Sequence, residues 1–225
     1  MPDAKDRIRS IVLATGNPHK VAELRAIFAG AGIEVLGLGD LPAPPAGFVE
    51  PLEHGLTFAV NARIKALDYA RQTGRICLGD DSGIEIDALA LADGTPRPGV
   101  ISSHYCTDGR EAGMTRDQRD AANNTRVLRE LDGVPPERRT ARFVCCMCLA
   151  GPDGVVHHHT RGACEGRIGV PPRVPAGRHG FGYDPLFLLG PAHEHTVAEM
   201  DPAAKNQISH RARAAMAMLE WLRGQ

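Results

Sequence analysis

Apolar and polar positions along this chain alternate between short apolar runs and helical stripes. Ile8 to Ala14 is largely apolar, as a buried strand requires. From Lys20 to Ala29, Val21, Leu24, Ile27 and Phe28 recur at helical spacing, and Gly30 and Gly32 end the run. Ile33 to Leu38 predicts a second strand. Leu41 to Glu53 carries Pro42, Pro44, Pro45 and Pro51, which predicts a loop. Thr57 reads as an N-cap for a helix through Phe58, Ala62, Ile64, Ala66, Leu67 and Ala70. Ile76 to Leu78 predicts a short strand running out into Gly79-Asp80-Asp81-Ser82-Gly83, with Ile84 to Leu89 extended beyond it.

Thr115 to Leu131 is a polar helix with apolar Ala121, Val127, Leu128 and Leu131, broken at Pro135-Pro136. Arg142 to Ala150 and Val155 to Cys164 predict two strands joined by Gly151-Pro152-Asp153-Gly154 as a hairpin. Gly166 to Pro185 is too rich in Gly and Pro for a regular element. A last helix starts near Asp201-Pro202 and includes Ala214, Met218, Leu219 and Leu222. Alternating helices and strands with one hairpin predict an α/β fold with a mixed sheet, in two lobes around a cleft.

The 225 residues suffice for a substantial core. The net charge of −1 provides no bulk field for nucleic acid or an anionic membrane, so any anion site is built locally. No apolar run has the length of a membrane helix, and Met1 to Ser10 has no signal-peptide core. A soluble cytoplasmic protein is expected. The six cysteines have neither zinc-ribbon nor C-x-x-C spacing, which favours free thiols in a reducing compartment.

Four segments carry chemistry. In Thr15-Gly16-Asn17-Pro18-His19-Lys20 a strand ends in a tight turn at a helix start, where free N–H groups and the helix dipole favour phosphate. The Walker A spacing is absent. Asp80-Asp81-Ser82 between glycines places two acids together. Their repulsion calls for a cation, and Mg²⁺ takes one or two carboxylates plus substrate phosphates; a plain turn would explain the same residues equally well. Gly180-Phe181-Gly182-Tyr183-Asp184-Pro185 offers an aromatic for base stacking and an acid for a base edge, or else two anchors for a loop. Lys205, Ser209, His210 and Arg211 place cations on one helix end, as a phosphate clamp or a solvated helix start.

Together these segments make the parts list of a nucleoside triphosphate enzyme, and the strings resemble one family. Leu13-Ala14-Thr15-Gly16-Asn17 with Lys20, Gly55-x-Thr57-Phe58-x-x-Asn61-Ala62-x-x-Lys65-Ala66, Asp80-Asp81-Ser82-Gly83 and Pro98-Gly99-Val100 occur in that order. Cys164-Glu165-Gly166-Arg167-Ile168, Gly180-Phe181-Gly182-Tyr183-Asp184-Pro185-Leu186-Phe187 and Ser209-His210-Arg211 follow. Over residues 8–223 this is similar to the non-canonical purine nucleoside triphosphate pyrophosphatases, the inosine/xanthosine triphosphate (Ham1-like) group.

The resemblance implies hydrolysis of inosine, deoxyinosine and xanthosine triphosphates to the monophosphate and pyrophosphate. It implies Mg²⁺, a homodimer, and a single domain over 1–225 with an elongated mixed sheet flanked by helices and a central cleft. By position, Thr15, Gly16, Asn17, Pro18, His19 and Lys20 would hold the triphosphate. Asp81 would be proton acceptor and metal ligand with Asp80 beside it, and Ser82 would touch substrate. Phe181, Gly182, Tyr183 and Asp184 would bind the base, and Lys205, His210 and Arg211 would close over base and phosphates.

The chain departs from the family pattern in three places. The acidic pair usual before Gly55 reads Val49-Glu50-Pro51-Leu52-Glu53-His54, leaving Glu53, or alternatively Glu50, as the second metal carboxylate. Val60 replaces a Glu before Asn61, and His104 replaces an Arg in Ser102-Ser103-His104-Tyr105. Two further readings are a pyrophosphatase of other modified nucleotides and a non-catalytic nucleotide sensor. A nucleic-acid module ranks below both, because Arg138-Arg139-x-x-Arg142 lacks a basic stripe and reads as solvated surface. His157-His158-His159 alternates across a strand and reads as an exposed edge rather than a metal tract.

Overall fold

The computed structural model describes residues 8–29, 31–44 and 46–225, apart from the side chains at 18, 19, 202, 203 and 206. One mixed sheet has the order β2-β1-β3-β4-β5-β6. Its strands are β1 (Ser10–Leu13), β2 (Glu34–Gly37), β3 (Cys77–Ile86), β4 (Thr140–Ala150), β5 (Val156–Ile168) and β6 (Phe187–Leu189). The helices are α1 (Pro18–Phe28), α2 (Phe58–Thr73), α3 (Arg116–Glu130), α4 (Pro202–Ile208) and α5 (His210–Arg223). The α/β class with a mixed sheet is therefore as the alternating pattern predicts. Among the described residues no helix is long and apolar enough to cross a membrane.

The chain divides into two compact units. The first runs to Asp81 and includes Cys145–Gly162 and His210–Gln225. In it β1 lies between β2 and β3, parallel to both, with Ser10 opposite Glu34 and Val12 opposite Leu36 and Cys77. Its side chains alternate into two cores. Ile11 and Leu13 pack with Leu24 and Phe28 of α1, Met147 of β4 and Met218 of α5, while Val12 and Ala14 pack with Leu38, Tyr69 and Cys77. Burial on both faces explains the unbroken apolar run Ile11 to Ala14. As its sequence predicts, α2 is capped by Thr57, whose hydroxyl accepts from the Val60 N–H; Gly74 ends it at φ +67°.

The second unit comprises Ser82–Val144 and Ala163–Ser209. Its core gathers Ile84, Ile86, Val127, Leu131, Ile168 and Phe187. The α3 helix opens on a reciprocal Thr115–Gln118 cap. Arg139, expected on a solvated surface, is only 4% exposed. It donates to the carbonyls of Leu131, Val134 and Gly169, so a basic-looking cluster contains a core residue that satisfies the otherwise orphaned end of α3.

Three other expectations change. The Gly79–Gly83 motif is not a loop after a strand, because β3 runs through it without a break. The last helix is two, divided between Ile208 and His210. The histidine tract is only partly an open edge: His159 is exposed, but His158 stacks flat on Trp221 of α5 at 4.6 Å. Among the described residues no cysteine is in a disulfide, and five of the six cysteines are buried.

Candidate active site

Strand period separates the two neighbouring acids of β3. Successive side chains point to opposite faces, so Asp80 and Asp81 meet different helices. Asp80 is buried on the face of α1 and α5. Its Oδ2 accepts from Lys20 Nζ at 2.8 Å and lies 3.7 Å from Arg211 Nε. Arg211 also pairs with Glu23 of α1 at 2.8 Å. Burial alone would raise the Asp80 carboxyl, but Lys20, Arg211 and Lys65 outweigh it and hold the group well below the usual carboxylate range.

Asp81 faces α2. Asn61 and Lys65 stand one turn apart on that helix and both reach it. Asn61 Nδ2 donates to Asp81 Oδ2 at 3.0 Å, and Lys65 Nζ lies 3.7 Å from Oδ1. Lys65 Nζ also donates to the Asp80 carbonyl at 3.0 Å and pairs with Glu53 at 2.9 Å. One lysine thus serves two carboxylates and a carbonyl. Burial, with Glu53 and Asp80 adding to it against Lys65 and Asn61, pushes the Asp81 carboxyl up to about 6. Burial lowers the Lys65 ammonium, yet the charges of Asp81, Asp80 and Glu53 leave it raised.

The turn before α1 is closed by its own side chains. Thr15 Oγ1 accepts from the Asn17 N–H at 3.2 Å, and Asn17 Oδ1 accepts from the Lys20 N–H at 3.4 Å. That makes Asn17 the cap, with Pro18 at the first helical position, where a missing N–H does no harm. Gly16 is exposed, and nothing lies within 4 Å of where its Cβ would be. The arrangement suits an anion at a helix start.

In the second unit the loop at residues 180–184 is fastened from several sides. The Gly182 N–H donates to Asp120 at 2.8 Å, and Asn124 Nδ2 donates to the Gly182 carbonyl at 3.1 Å, both from α3. Gly180, at φ +81°, leaves no room for a Cβ beside the Asp184 carboxylate, which accepts from the Phe181 N–H at 2.9 Å and pairs with Lys205. Tyr183 is 4% exposed and donates its hydroxyl to the Ser102 carbonyl at 2.7 Å. Phe181 is 52% exposed, with Arg116 at 4.4 Å and Lys205 at 4.8 Å from its ring centroid. The loop is held at its base, and the half-exposed Phe181 ring stands beside two cations.

A sequence model of the Ham1 family matches residues 11–221. The chain belongs to the Ham1 family. Among its Ham1 relatives, a dITP/XTP pyrophosphatase of Nitratidesulfovibrio vulgaris is 46% identical over 211 residues, covering 94% of each chain. Another from Desulforamulus reducens is 44% identical over 212 residues, again 94% of each. A solved HAM1 protein from Coxiella burnetii, 35% identical, matches with a TM-score of 0.77 over 96% of this chain and 99% of its own. A nucleoside-triphosphatase / dITP/XTP pyrophosphatase of Mycobacterium abscessus, 38% identical, gives 0.69 over 93% and 98%.

For this Ham1 chain the residues singled out from sequence fall into three groups. Thr15, Gly16, Asn17, Lys20, Asp80, Asp81, Glu53 and Arg211 all lie in the first unit, as does half-buried His210 at the start of α5. Half-buried Ser82 and Phe181, Gly182, Tyr183, Asp184 and Lys205 lie in the second. The side chains of Pro18 and His19 lie outside the described residues. Two of the expected base contacts carry bonds within the loop's own surroundings: the Tyr183 hydroxyl donates to the Ser102 carbonyl, and the Asp184 carboxylate accepts from the Phe181 N–H and pairs with Lys205. The strand sends Asp80 and Asp81 to opposite faces, so Asp81 alone of the two stands on the side of Glu53 and Lys65.

The donor set near α2 suits a hard cation. Glu53 and Asp81 converge on one Lys65 ammonium, at 2.9 Å and 3.7 Å from its Nζ. Oxygen donors of this kind suit Mg²⁺, which fills its shell with water and substrate phosphate. Among the described residues no group of three or more His, Cys, Asp or Glu forms a site by itself.

Sequence reasoning gave no site role to Asn61, Lys65, Arg116 or Asp120. A signal existed for each. Asn61 and Lys65 interrupt the small apolar face of α2 at i, i+4, and Arg116, Asp120 and Asn124 form an i, i+4, i+8 polar stripe on α3.

Proposed function

We propose that this chain is a nucleoside triphosphate pyrophosphatase that cleaves dITP, ITP and XTP to the monophosphate and pyrophosphate, clearing non-canonical purines from the nucleotide pool. The observation that carries the reading is Asp81, pushed up to about 6 and held by Asn61 and Lys65. A carboxylate poised near neutral pH is a proton acceptor. Asp81 takes the proton of a water that attacks the α-phosphorus, and Asn61 fixes the carboxylate's orientation. Lys20 and the positive end of α1 would stabilise charge on phosphate oxygens. The buried pair with Asp80 positions Lys20.

Mg²⁺ held by Asp81 and Glu53 would neutralise phosphate oxygens when bound. In the second unit Phe181 supplies the stacking surface for the base. Selection comes from the base edge: a donor placed for a 6-oxo group faces another donor in ATP, and an unpaired buried polar group costs about 1–3 kcal/mol. Assembly as a homodimer belongs to the same reading and is read by sedimentation.

The test is pyrophosphate release with Mg²⁺ from dITP, ITP and XTP beside ATP and GTP. Release from the first three, lost on EDTA and on Asp81→Asn, is the expected result. Tight binding of dITP without release by the wild-type chain would overturn the reading in favour of a sensor.

A further inference from the structure

Phe181 lies between two glycines in the left-handed region, Gly180 at φ +81° and Gly182 at φ +61°. Glycine has the widest conformational freedom of any residue, so local backbone preference does not fix where the Phe181 ring points. Side chains fix it instead, by holding three successive peptide units. The Phe181 N–H donates to Asp184 Oδ2 at 2.9 Å, the Gly182 N–H donates to Asp120 Oδ2 at 2.8 Å, and the Gly182 carbonyl accepts from Asn124 Nδ2 at 3.1 Å. The first bond is internal to the loop. The other two come from α3, where Asp120 and Asn124 stand one turn apart on one face. The acceptor on Asp120 is a carboxylate, which makes the stronger kind of hydrogen bond. Among the described residues, Asn124 Oδ1 is buried with no hydrogen-bond partner. An orphaned buried acceptor lowers stability, so stability alone does not explain an asparagine at this position.

We propose that Asp120 and Asn124 are positioning residues of the base subsite: they clamp the Gly182 peptide, so that the Phe181 ring is already in place when a purine nucleotide binds. The proposal rests on the reading of Phe181 as the base-stacking residue. Neither residue of α3 touches substrate in this scheme; each acts through Gly182. A loop that orders only when its ligand arrives loses part of the binding free energy to that ordering, and a loop fixed beforehand does not. The clamp therefore acts on nucleotide affinity and not on the chemical step. It acts through the base alone. The phosphates are assigned to residues 15–20 of the first unit, so a ligand without a base gains nothing from it. Asp120 Oδ2 also stands 3.9 Å from Arg116 Nε, so its acceptor and its charge are to be tested apart.

The experiment measures binding of inosine monophosphate and of inorganic tripolyphosphate by calorimetry, and kcat and KM for dITP, in wild type, Asp120→Ala, Asp120→Asn and Asn124→Leu. Asp120→Ala is expected to bind inosine monophosphate about tenfold more weakly, the scale of a hydrogen bond to a charged group, and tripolyphosphate within twofold of wild type. KM for dITP is expected to rise by a similar factor with kcat unchanged. Asp120→Asn keeps an acceptor for the Gly182 N–H and loses the charge near Arg116, and it is expected to recover most of the affinity. Asn124→Leu removes the bond and the orphaned oxygen together. Its unfolding midpoint in urea is expected to move little while inosine monophosphate binding weakens about threefold. Unchanged inosine monophosphate affinity in Asp120→Ala, equal weakening of both ligands, or no recovery in Asp120→Asn would each overturn the proposal. Phe181→Ala separates the clamp from the reading beneath it. If that variant binds inosine monophosphate as wild type does, the stacking reading fails and takes the clamp with it; if it binds weakly while Asp120→Ala does not, the clamp alone fails.

Discussion

Asn61 bridges the Asp81 carboxylate and the main chain of the preceding loop: its Nδ2 donates to Asp81 Oδ2 at 3.0 Å while its Oδ1 accepts from the Gly55 N–H at 2.8 Å. The second bond settles the amide's orientation, because only the nitrogen end is then left for the acid. The same residue ties the loop bearing Glu53 to the acid it would work with.

Asn61→Ala is expected to lower kcat on dITP about tenfold or more, with a smaller effect on KM. It removes a hydrogen bond to a charged group, about 1.5–3 kcal/mol, and releases the Glu53 loop. Steady-state kinetics measure it. A loss confined to KM would place Asn61 in substrate binding instead.

Asp81 makes a pH-dependent contribution to stability whose sign follows from its raised carboxyl. The folded chain binds this proton up to about pH 6, whereas an unfolded carboxylate releases it near its ordinary value. Stability from this group is therefore full below about pH 4 and is lost as pH rises through about 6. Asp81→Asn removes that loss. In EDTA at pH 7 it is expected to be more stable than wild type by ~2 kcal/mol, with the difference vanishing near pH 4. Urea midpoints at the two pH values decide it, and Mg²⁺ with nucleotide is expected to reverse the order by stabilising wild type alone.

Lys65→Met leaves Glu53 and Asp81 facing each other without their shared cation. Removing one partner from a buried ionic cluster costs about 3–5 kcal/mol. The variant is expected to show that loss at neutral pH by chemical denaturation and to regain part of it in acid, where the two carboxyls are protonated. A loss of equal size at pH 7 and pH 4 would mean that packing of the lysine stem, and not charge, is what matters.

Tyr183→Phe and Phe181→Ala separate the two aromatics of one loop. Tyr183 is core, so losing its hydroxyl is expected to lower stability by about 1 kcal/mol and leave KM for dITP within twofold. Phe181 is half exposed, so its removal is expected to leave stability nearly unchanged and raise KM at least fivefold, the lower end of base–aromatic stacking at about 1 kcal/mol. The opposite pattern would reverse the roles given to these residues.

The fold was legible wherever periodicity was strong and a cap marked the boundary. Ile11 to Ala14, Thr57 before α2 and Thr115 before α3 all announce their elements locally. The Gly79–Gly83 segment did not, because Gly, Asp and Ser favour turns by local preference, whereas here pairing within the sheet and contact with α2 extend the strand through them. That single misreading put Asp80 and Asp81 side by side; recognising a strand would have sent them apart. Ser209 is similar, since nothing in its composition marks a break between helices. Arg139 was misread because burial of an arginine depends on carbonyls supplied by residues 131, 134 and 169, which local sequence does not reveal.

Gly79 stands two residues before Asp81 on the same side of β3, and a Cβ there would fall 2.4 Å from the Ala62 carbonyl oxygen and 2.7 Å from the Ala66 nitrogen. Strand and helix touch main chain to main chain, at the residues that directly follow Asn61 and Lys65, the two that grip Asp81. The aim of the acid is therefore welded into the backbone, with no packed side chain between to soften on heating. The placement of Asp81 and the cooperative melting of the first unit become one event: the acid should keep its aim up to that unit's unfolding transition and lose it there.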